Sequence, residues 1–318
     1  MHKKLRYLLY MLRIRRVEFR IAEIPILLIP ILLLLHDTAP LKTFSFWEGI
    51  FIFFLLFAFG DMINCLADRD LDAVYKPHLS EAVYGLGVGF VKFQVIATAV
   101  LALVLTAHLS WQLQRWILLV MVAIGLILGA AYSVKPVQLK GRGVAQLFCL
   151  WLIIFVGPML FVSLLVSTTP SFTILLFASA FGALQMGIIL VNTAEDYPED
   201  LEAHIKTTIV SLGLHRGISL AFWLTALGAV GVLVTLGSMF RQRQVETIWF
   251  FAMLPAAVAC LYVLTDIWKL RRKVLSQNLT LAIQTVKKSA KRVPIWLTVV
   301  AWATLGAAYT LFLAGRQN

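Results

Sequence analysis

The sequence predicts an all-α integral membrane protein of about nine transmembrane helices. The chain is 60% hydrophobic and only 14% charged, with mean hydropathy +0.87, so most of its surface must face lipid. Its apolar runs approach 20 residues without the period-two alternation of a membrane barrel, and helices alone satisfy their backbone within such a run. Two matched acidic segments close two of these runs, which points to a duplicated unit.

In chain order, residues 1–20 carry seven Lys/Arg interleaved with Leu, Tyr and Met. Such a segment suits an anionic leaflet or serves as a topology-setting flank, and the two roles are compatible. The run Ile21 to Leu35 is as short as a signal-peptide core, but no small-residue cleavage pattern follows, so it is expected to be an uncleaved first span. Further spans are expected at 44–66, 85–107, 111–133, 143–166, 171–193, 215–237, 246–268 and 293–314, separated by Gly, Pro or charge clusters. The expected organisation is thus an interfacial segment, 1–20, followed by a nine-helix domain, 21–318.

Nine spans put the termini on opposite sides, and the basic residues orient them. One side holds 23 Lys/Arg, in 1–20, 69–92, 135–142, 206–216 and 269–292; the other holds Lys42, Arg115, Arg241, Arg243 and Arg316. The N-terminus and both acidic segments are therefore expected on the cytoplasmic side of the cell (inner) membrane. The net charge of +12 resides in these flanks, and no nucleic-acid partner is expected.

The first acidic segment, Asn64 to Asp72, reads N-C-L-A-D-R-D-L-D. Asn64, Asp68 and Asp72 fall at i, i+4 and i+8, which drift only about 80° around a helix, so their oxygens share one face. Asn192, Asp196 and Asp200 repeat the pattern 128 residues downstream (192 less 64, 196 less 68, 200 less 72). The offset continues through Ser80 with Thr208, Ala82 with Val210 and Gly85 with Gly213.

Ten of the sixteen acids lie at or near these two segments. Carboxylates at the C-terminal end of a helix oppose its dipole, and a bound cation reverses the sign. Carboxylate and Asn oxygens suit a hard ion such as Mg²⁺, which favours one or two protein carboxylates plus ligand phosphates. Two such clusters can serve ions around a diphosphate; the alternative is a pair of solvated acidic loops.

Between them, residues 131–143 (A-Y-S-V-K-P-V-Q-L-K-G-R-G) supply Lys135, Lys140 and Arg142, as countercharge for phosphate oxygens or as topology signals. Tyr132 is placed to face a carbocation or hydroxyl acceptor, or to sit in an interfacial aromatic belt. Asp61, inside the second span, is a proton acceptor, a brace or an ion-paired structural carboxylate. Cys65, Cys149 and Cys260 fit no metal or haem spacing and receive no role, nor do His36, His108 and His215. Asn278-Leu279-Thr280 is a glycosylation sequon by pattern only, on the expected cytoplasmic side.

Taken together, N-x-x-x-D-x-x-x-D at 64, 68 and 72, E-D-x-x-x-D at 195, 196 and 200, and the intervening Y-S-x-x-P-x-x-L-K-x-R-G-like stretch resemble the UbiA superfamily of intramembrane prenyltransferases. The resemblance implies a ring of nine helices around a lipid-accessible cavity with a cytoplasmic cap. It also implies Mg²⁺ and a prenyl diphosphate held by Asn64, Asp68, Asp72, Asn192, Asp196 and Asp200, with Lys206 contacting phosphate. The chain departs from the family pattern at Cys65, where an acid is common, and at His204, where glycine is common. The expected activity is prenyl transfer to a small lipophilic acceptor (an aromatic, a quinone precursor or another isoprenoid). The alternatives are acceptor-free cyclisation of the diphosphate on the same scaffold, and a cation-coupled transporter.

Overall fold

The computed structural model describes residues 3–243 and 247–315, and among them every extended element is a helix. In chain order, α1 (Lys3–Ile14) and α2 (Arg20–Leu34) precede the long α3 (Phe44–Tyr75), then α4 (Pro77–Leu86), α5 (Val88–Leu113) and α6 (Ile117–Ser133). α7 (Val144–Leu150) runs through a π-helical turn, Trp151–Val156, into α8 (Gly157–Val166). There follow α9 (Phe172–Glu195), α10 (Tyr197–Glu202), α11 (Thr208–Leu212), α12 (Leu214–Gln242), α13 (Leu254–Leu275), α14 (Leu279–Ala290) and α15 (Val293–Ala314).

Among the described residues, seven helical stretches are long and apolar enough to cross a membrane: α3, α5, α7 with α8, α9, α12, Phe250–Leu275 and α15. The other two expected spans form shorter helices, α2 with 15 residues and α6 with 17. At 1.5 Å per residue these measure about 23 and 26 Å, less than the roughly 30 Å hydrocarbon core. α6 is short because α5 continues to Leu113 and the chain turns through Gln114, at φ 54°, before helix resumes at Ile117. Residues 1 and 2 of the basic segment, residue 246 where the eighth span was expected to open, and Arg316 lie outside the described residues.

Local chemistry sets the helix starts. Thr43, Ser171, Thr207 and Asn278 each accept an N–H from the first turn of the helix that follows. Asn278 is thus a helix cap, which accounts for its place in the sequon-like triplet.

The chain divides into two compact units, residues 1–20 with 41–139, and residues 21–40 with 140–318. In the first, α3 packs along α5, α6 and α4, and α1 lies on α4. In the second, α9 and α12 pair along their lengths, and Phe181 stacks on Phe177 (ring centroids 6.0 Å apart) and meets Phe155 edge-on (6.3 Å). The end of α2 is held there by Arg243, which donates to the carbonyls of Leu33 (2.7 Å) and Leu35 (3.2 Å). A cation on these unpaired carbonyls complements the helix dipole.

Each unit carries the same run: an acidic segment, a short helix, a positive-φ glycine and a long span. Gly87 (φ 91°) precedes α5 and Gly213 (φ 78°) precedes α12, a conformation that glycine adopts without steric cost. The glycines matched in backbone are therefore 87 and 213, not the expected 85 and 213. Gly85 lies inside α4 beneath the Tyr10 ring, so the duplication slips by two residues after the motifs.

The α9–α12 crossing depends on missing side chains: a Cβ on Gly228 would run into the Leu184 backbone, whereas one on Gly306 would meet open space. We expect Gly228→Ala to destabilise the protein by about 1–3 kcal/mol, through a crossing that cannot repack without backbone movement. Gly306→Ala is expected to be neutral or stabilising by up to about 1 kcal/mol. Thermal unfolding in detergent, with the two variants side by side, checks both.

Candidate active site

α3 is continuous through the first motif, so Asn64, Asp68 and Asp72 do share one helical face. From Phe44 to Asn64 the helix rises about 30 Å, roughly the thickness of the hydrocarbon core, so the motif begins where that core can end. Asp72 is nearly buried at 9% exposure, while Asn64 and Asp68 are half-buried. Cys65 points into the packed side of α3, where an acid would be a buried charge.

The neighbouring acids are committed elsewhere. Tyr84 of α4 donates to Asp70, and Arg69 lies 3.3 Å from the same carboxylate, so Asp70 fastens α4 to the motif helix. Asp61 is ion-paired with Arg20 at 2.5 Å, and Arg20 also donates to the Arg15 carbonyl (2.6 Å). This pairing matches the ion-paired structural carboxylate among the readings of Asp61.

The second motif is built differently. α9 ends at Glu195, Asp196 turns the chain at φ −81°, ψ 5°, and α10 opens at Tyr197 with Pro198 in its first turn. Proline has no N–H to continue the ladder of α9, so the break falls just before it. The one-face geometry expected of Asn192, Asp196 and Asp200 therefore does not hold as a continuous helix; the first copy alone keeps it. Asp200 donates its N–H to the Asp196 carbonyl (2.8 Å), and Glu199 is gripped by Lys287 of α14 at 2.7 Å.

The basic loop joins the second motif through the backbone. Arg142 and Lys206 pair as a short parallel bridge, and Gly143 donates to the Lys206 carbonyl at 2.7 Å. The buried Thr208 donates its N–H to Gln146 Oε1 (2.8 Å) and its hydroxyl to the Gly143 carbonyl (2.8 Å). Two of the expected phosphate-binding cations, Arg142 and Lys206, are thus adjacent in backbone, with Lys140 buried nearby in sequence at 8% exposure. Gln146 had no signal in the sequence beyond being a polar residue opening an apolar span. Tyr132, near the end of α6, and exposed Lys135, which precedes a cis proline, belong to the first unit.

His204 adopts φ 55°, a left-handed conformation that explains why glycine is common at this position. His108 also finds a partner: its Nδ1 lies 2.7 Å from buried Glu48, near the start of α3, far along that helix from the motif. A groove of about 330 Å³ along α13, lined by Val258, Leu261, Tyr262, Thr265, Asp266 and Lys269, includes none of the expected site residues.

Among the described residues, no group of three or more His, Cys, Asp or Glu side chains converges. The donor set is nevertheless all oxygen, carboxylates with an Asn carbonyl, which fits Mg²⁺ taking one or two carboxylates from a motif and phosphate or water oxygens for the rest. Asp68 with Asp72, one helical turn apart, are the pair best placed to do so within the first unit.

The sequence profile described as the UbiA prenyltransferase family matches residues 24–286. Over 152 residues the chain is 30% identical to 2-carboxy-1,4-naphthoquinone phytyltransferase from Synechocystis sp., covering 47% of this chain and 48% of that one. It thus spans about half the length of this curated relative. Among solved structures it matches digeranylgeranylglyceryl phosphate synthase with TM-score 0.65 and 16% identity, over 95% of this chain and 99% of that one. It also matches a UbiA homologue from Archaeoglobus fulgidus bound to GPP and Mg²⁺, with TM-score 0.63 and 20% identity, over 92% and 99%. At these identities the structural likeness establishes the fold. The apolar helices, the paired motifs and the matched profile together make this chain an integral membrane protein of the UbiA prenyltransferase family.

Proposed function

We propose that the protein transfers a prenyl group from an allylic prenyl diphosphate to a small lipophilic acceptor within the membrane, with Mg²⁺ as cofactor. The observation that carries this reading is the basic 140–142 loop held by backbone bonds to Lys206, immediately after the second acidic motif. Ile205 also donates its N–H to the Asp200 carbonyl at 2.8 Å, so in this reading the cations of the loop and the carboxylates of the motif serve one metal-bound diphosphate. The A. fulgidus homologue holding GPP and Mg²⁺ supports the donor and the ion, and the phytyltransferase relative supports a quinone-like aromatic acceptor.

In this reading Asn64, Asp68 and Asp72 and, from the second motif, Asn192, Asp196 and Asp200 hold the ion and orient the diphosphate. Bound Mg²⁺ supplies Lewis-acid neutralisation of the leaving group. Lys135, Lys140, Arg142 and Lys206 are the cations assigned to the phosphate oxygens, as countercharge for the charge that develops on the diphosphate. The allylic C–O bond breaks with its electron pair leaving on the diphosphate, and Tyr132 offers its ring face to the resulting cation. The acceptor forms the new bond, and its displaced proton passes to a motif carboxylate or to the released diphosphate. Apolar walls keep water from the cation. α2 and α6 serve as shorter membrane segments, bringing the total to nine, and the motif side faces the cytoplasm of the cell membrane.

Purified protein given Mg²⁺, an allylic diphosphate and a panel of aromatic and quinone precursors is expected to release diphosphate only when an acceptor is present. EDTA is expected to abolish release and Mg²⁺ to restore it. A cyclic hydrocarbon or alcohol formed without acceptor overturns prenyl transfer in favour of cyclisation. Asp68→Asn and Asp196→Asn are each expected to lower turnover by at least about 10²-fold, the scale for removing a stabiliser of developing charge. Retained turnover in both folded variants contradicts the site assignment.

Position 204 gives a separate check. Relieving a left-handed non-glycine residue is worth about 1 kcal/mol, so His204→Gly is expected to raise the melting temperature while leaving turnover intact. Lost turnover with a raised melting temperature would instead assign the imidazole to the chemistry.

A further inference from the structure

Helix α1 has two apolar faces on opposite sides. Tyr10 and Ile14 mark one and are buried, at 5% and 0% exposure. Leu5, Leu8 and Leu12 mark the other, spaced i, i+3 and i+7 and roughly 170° round the helix. These three remain 50%, 55% and 39% exposed. Exposed Lys4 lies about 40° beyond Leu8 on one side of that stripe, and exposed Arg6 about 60° beyond half-buried Leu9 on the other.

The inner face is tied down. Tyr10 donates its hydroxyl to Glu81 Oε1 of α4 at 2.5 Å, its ring covers Gly85, and Arg15 donates to Gln94 Oε1 of α5 at 2.6 Å. The hydrogen bond to Glu81 holds the Tyr10 phenol above its usual pKa, since the carboxylate favours the protonated donor. α4 is in turn fastened to the motif helix by Tyr84 on Asp70, which sits between Asp68 and Asp72 in the sequence. A chain of contacts therefore runs from α1 through α4 to the acidic end of α3.

We propose that α1 is a lipid-gripping brace: its outer stripe, Leu5, Leu8 and Leu12 between Lys4 and Arg6, takes an anionic phospholipid surface, and its inner face thereby holds α4 against the first motif. An apolar stripe with cations on both shoulders is the pattern that lies in a headgroup boundary, and the cations select an anionic one. Lipid charge then sets how firmly the end of α3 is held. The binding half stands by itself; the consequence for turnover rests on the prenyl-transfer reading.

The test uses the full chain with Leu8→Cys carrying an environment-sensitive fluorophore, the native cysteines being buried. The protein is reconstituted in vesicles of phosphatidylcholine, alone or with about 30 mol% phosphatidylglycerol. Quenching by acrylamide, an uncharged aqueous quencher, is expected to fall at least about threefold with the anionic lipid, while brominated acyl chains begin to quench. Equal acrylamide access in both vesicles overturns the proposal, as does shielding that brominated lipid does not reach and that disappears on dilution, which would place a second copy on the stripe. For the coupling, the KM for the allylic diphosphate is expected to fall with phosphatidylglycerol in the unlabelled wild-type chain and to lose that response in the Lys4→Gln/Arg6→Gln variant, kcat being unchanged. A variant responding like the wild type overturns the coupling. The fluorescence arm needs no turnover, so failure of the brace and failure of prenyl transfer are told apart.

Discussion

Carboxylates at the C-terminal ends of membrane helices are the constraint on which the rest of this structure depends. Asp68 and nearly buried Asp72 sit toward the C-terminal end of α3, where the helix dipole is negative. Neither position helps the helix. The first unit answers with cations and donors on the flanking acids, Arg20 on Asp61 and Arg69 with Tyr84 on Asp70, while Asp68 and Asp72 lie on the face shared with Asn64. In the second unit Lys287 grips Glu199. In the proposed reaction a hard cation carried by a phosphate ligand would offset the charge of the motif acids.

The two motifs reach this end by different backbones. The first stays on one helix of 32 residues, long enough to cross the membrane and project beyond it. The second breaks at Asp196, which turns Asp200 and Glu199 onto a separate short helix and lets the chain return at Lys206 to meet the 142–143 backbone. One copy presents carboxylates on a rigid face. The other brings carboxylates and cations together through a loop, which is where adaptable binding groups usually reside.

Much of this was legible in the sequence because it is written in local pattern. Apolar run length placed the spans, and the i, i+4, i+8 spacing placed Asn64, Asp68 and Asp72 on one face. Pro198 was an available signal for the break at Asp196, outweighed by the register of the two copies. The repeat itself was legible, but its glycine register was not, because only the positive φ of Gly87 and Gly213 identifies the equivalent turn. What local pattern does not encode are pairings distant in sequence: Gln146 with Thr208, Tyr10 with Glu81, Arg20 with Asp61, Glu48 with His108. Each joins ordinary-looking residues, and only the fold selects the pair. Length also misled at α6, where a turn at Gln114 took residues that hydropathy had given to the span.

The proposed reaction has both motifs serve one diphosphate, and a double-variant cycle on binding puts that proposal to the test. The Kd of the full chain for a non-reactive allylic thiodiphosphate in Mg²⁺ would be measured for the wild type, Asp68→Asn, Asp196→Asn and the double variant. If both motifs serve one ligand, the losses are strongly non-additive, the double variant falling within about tenfold of the weaker single one. A variant of either motif that leaves binding untouched would contradict a shared site.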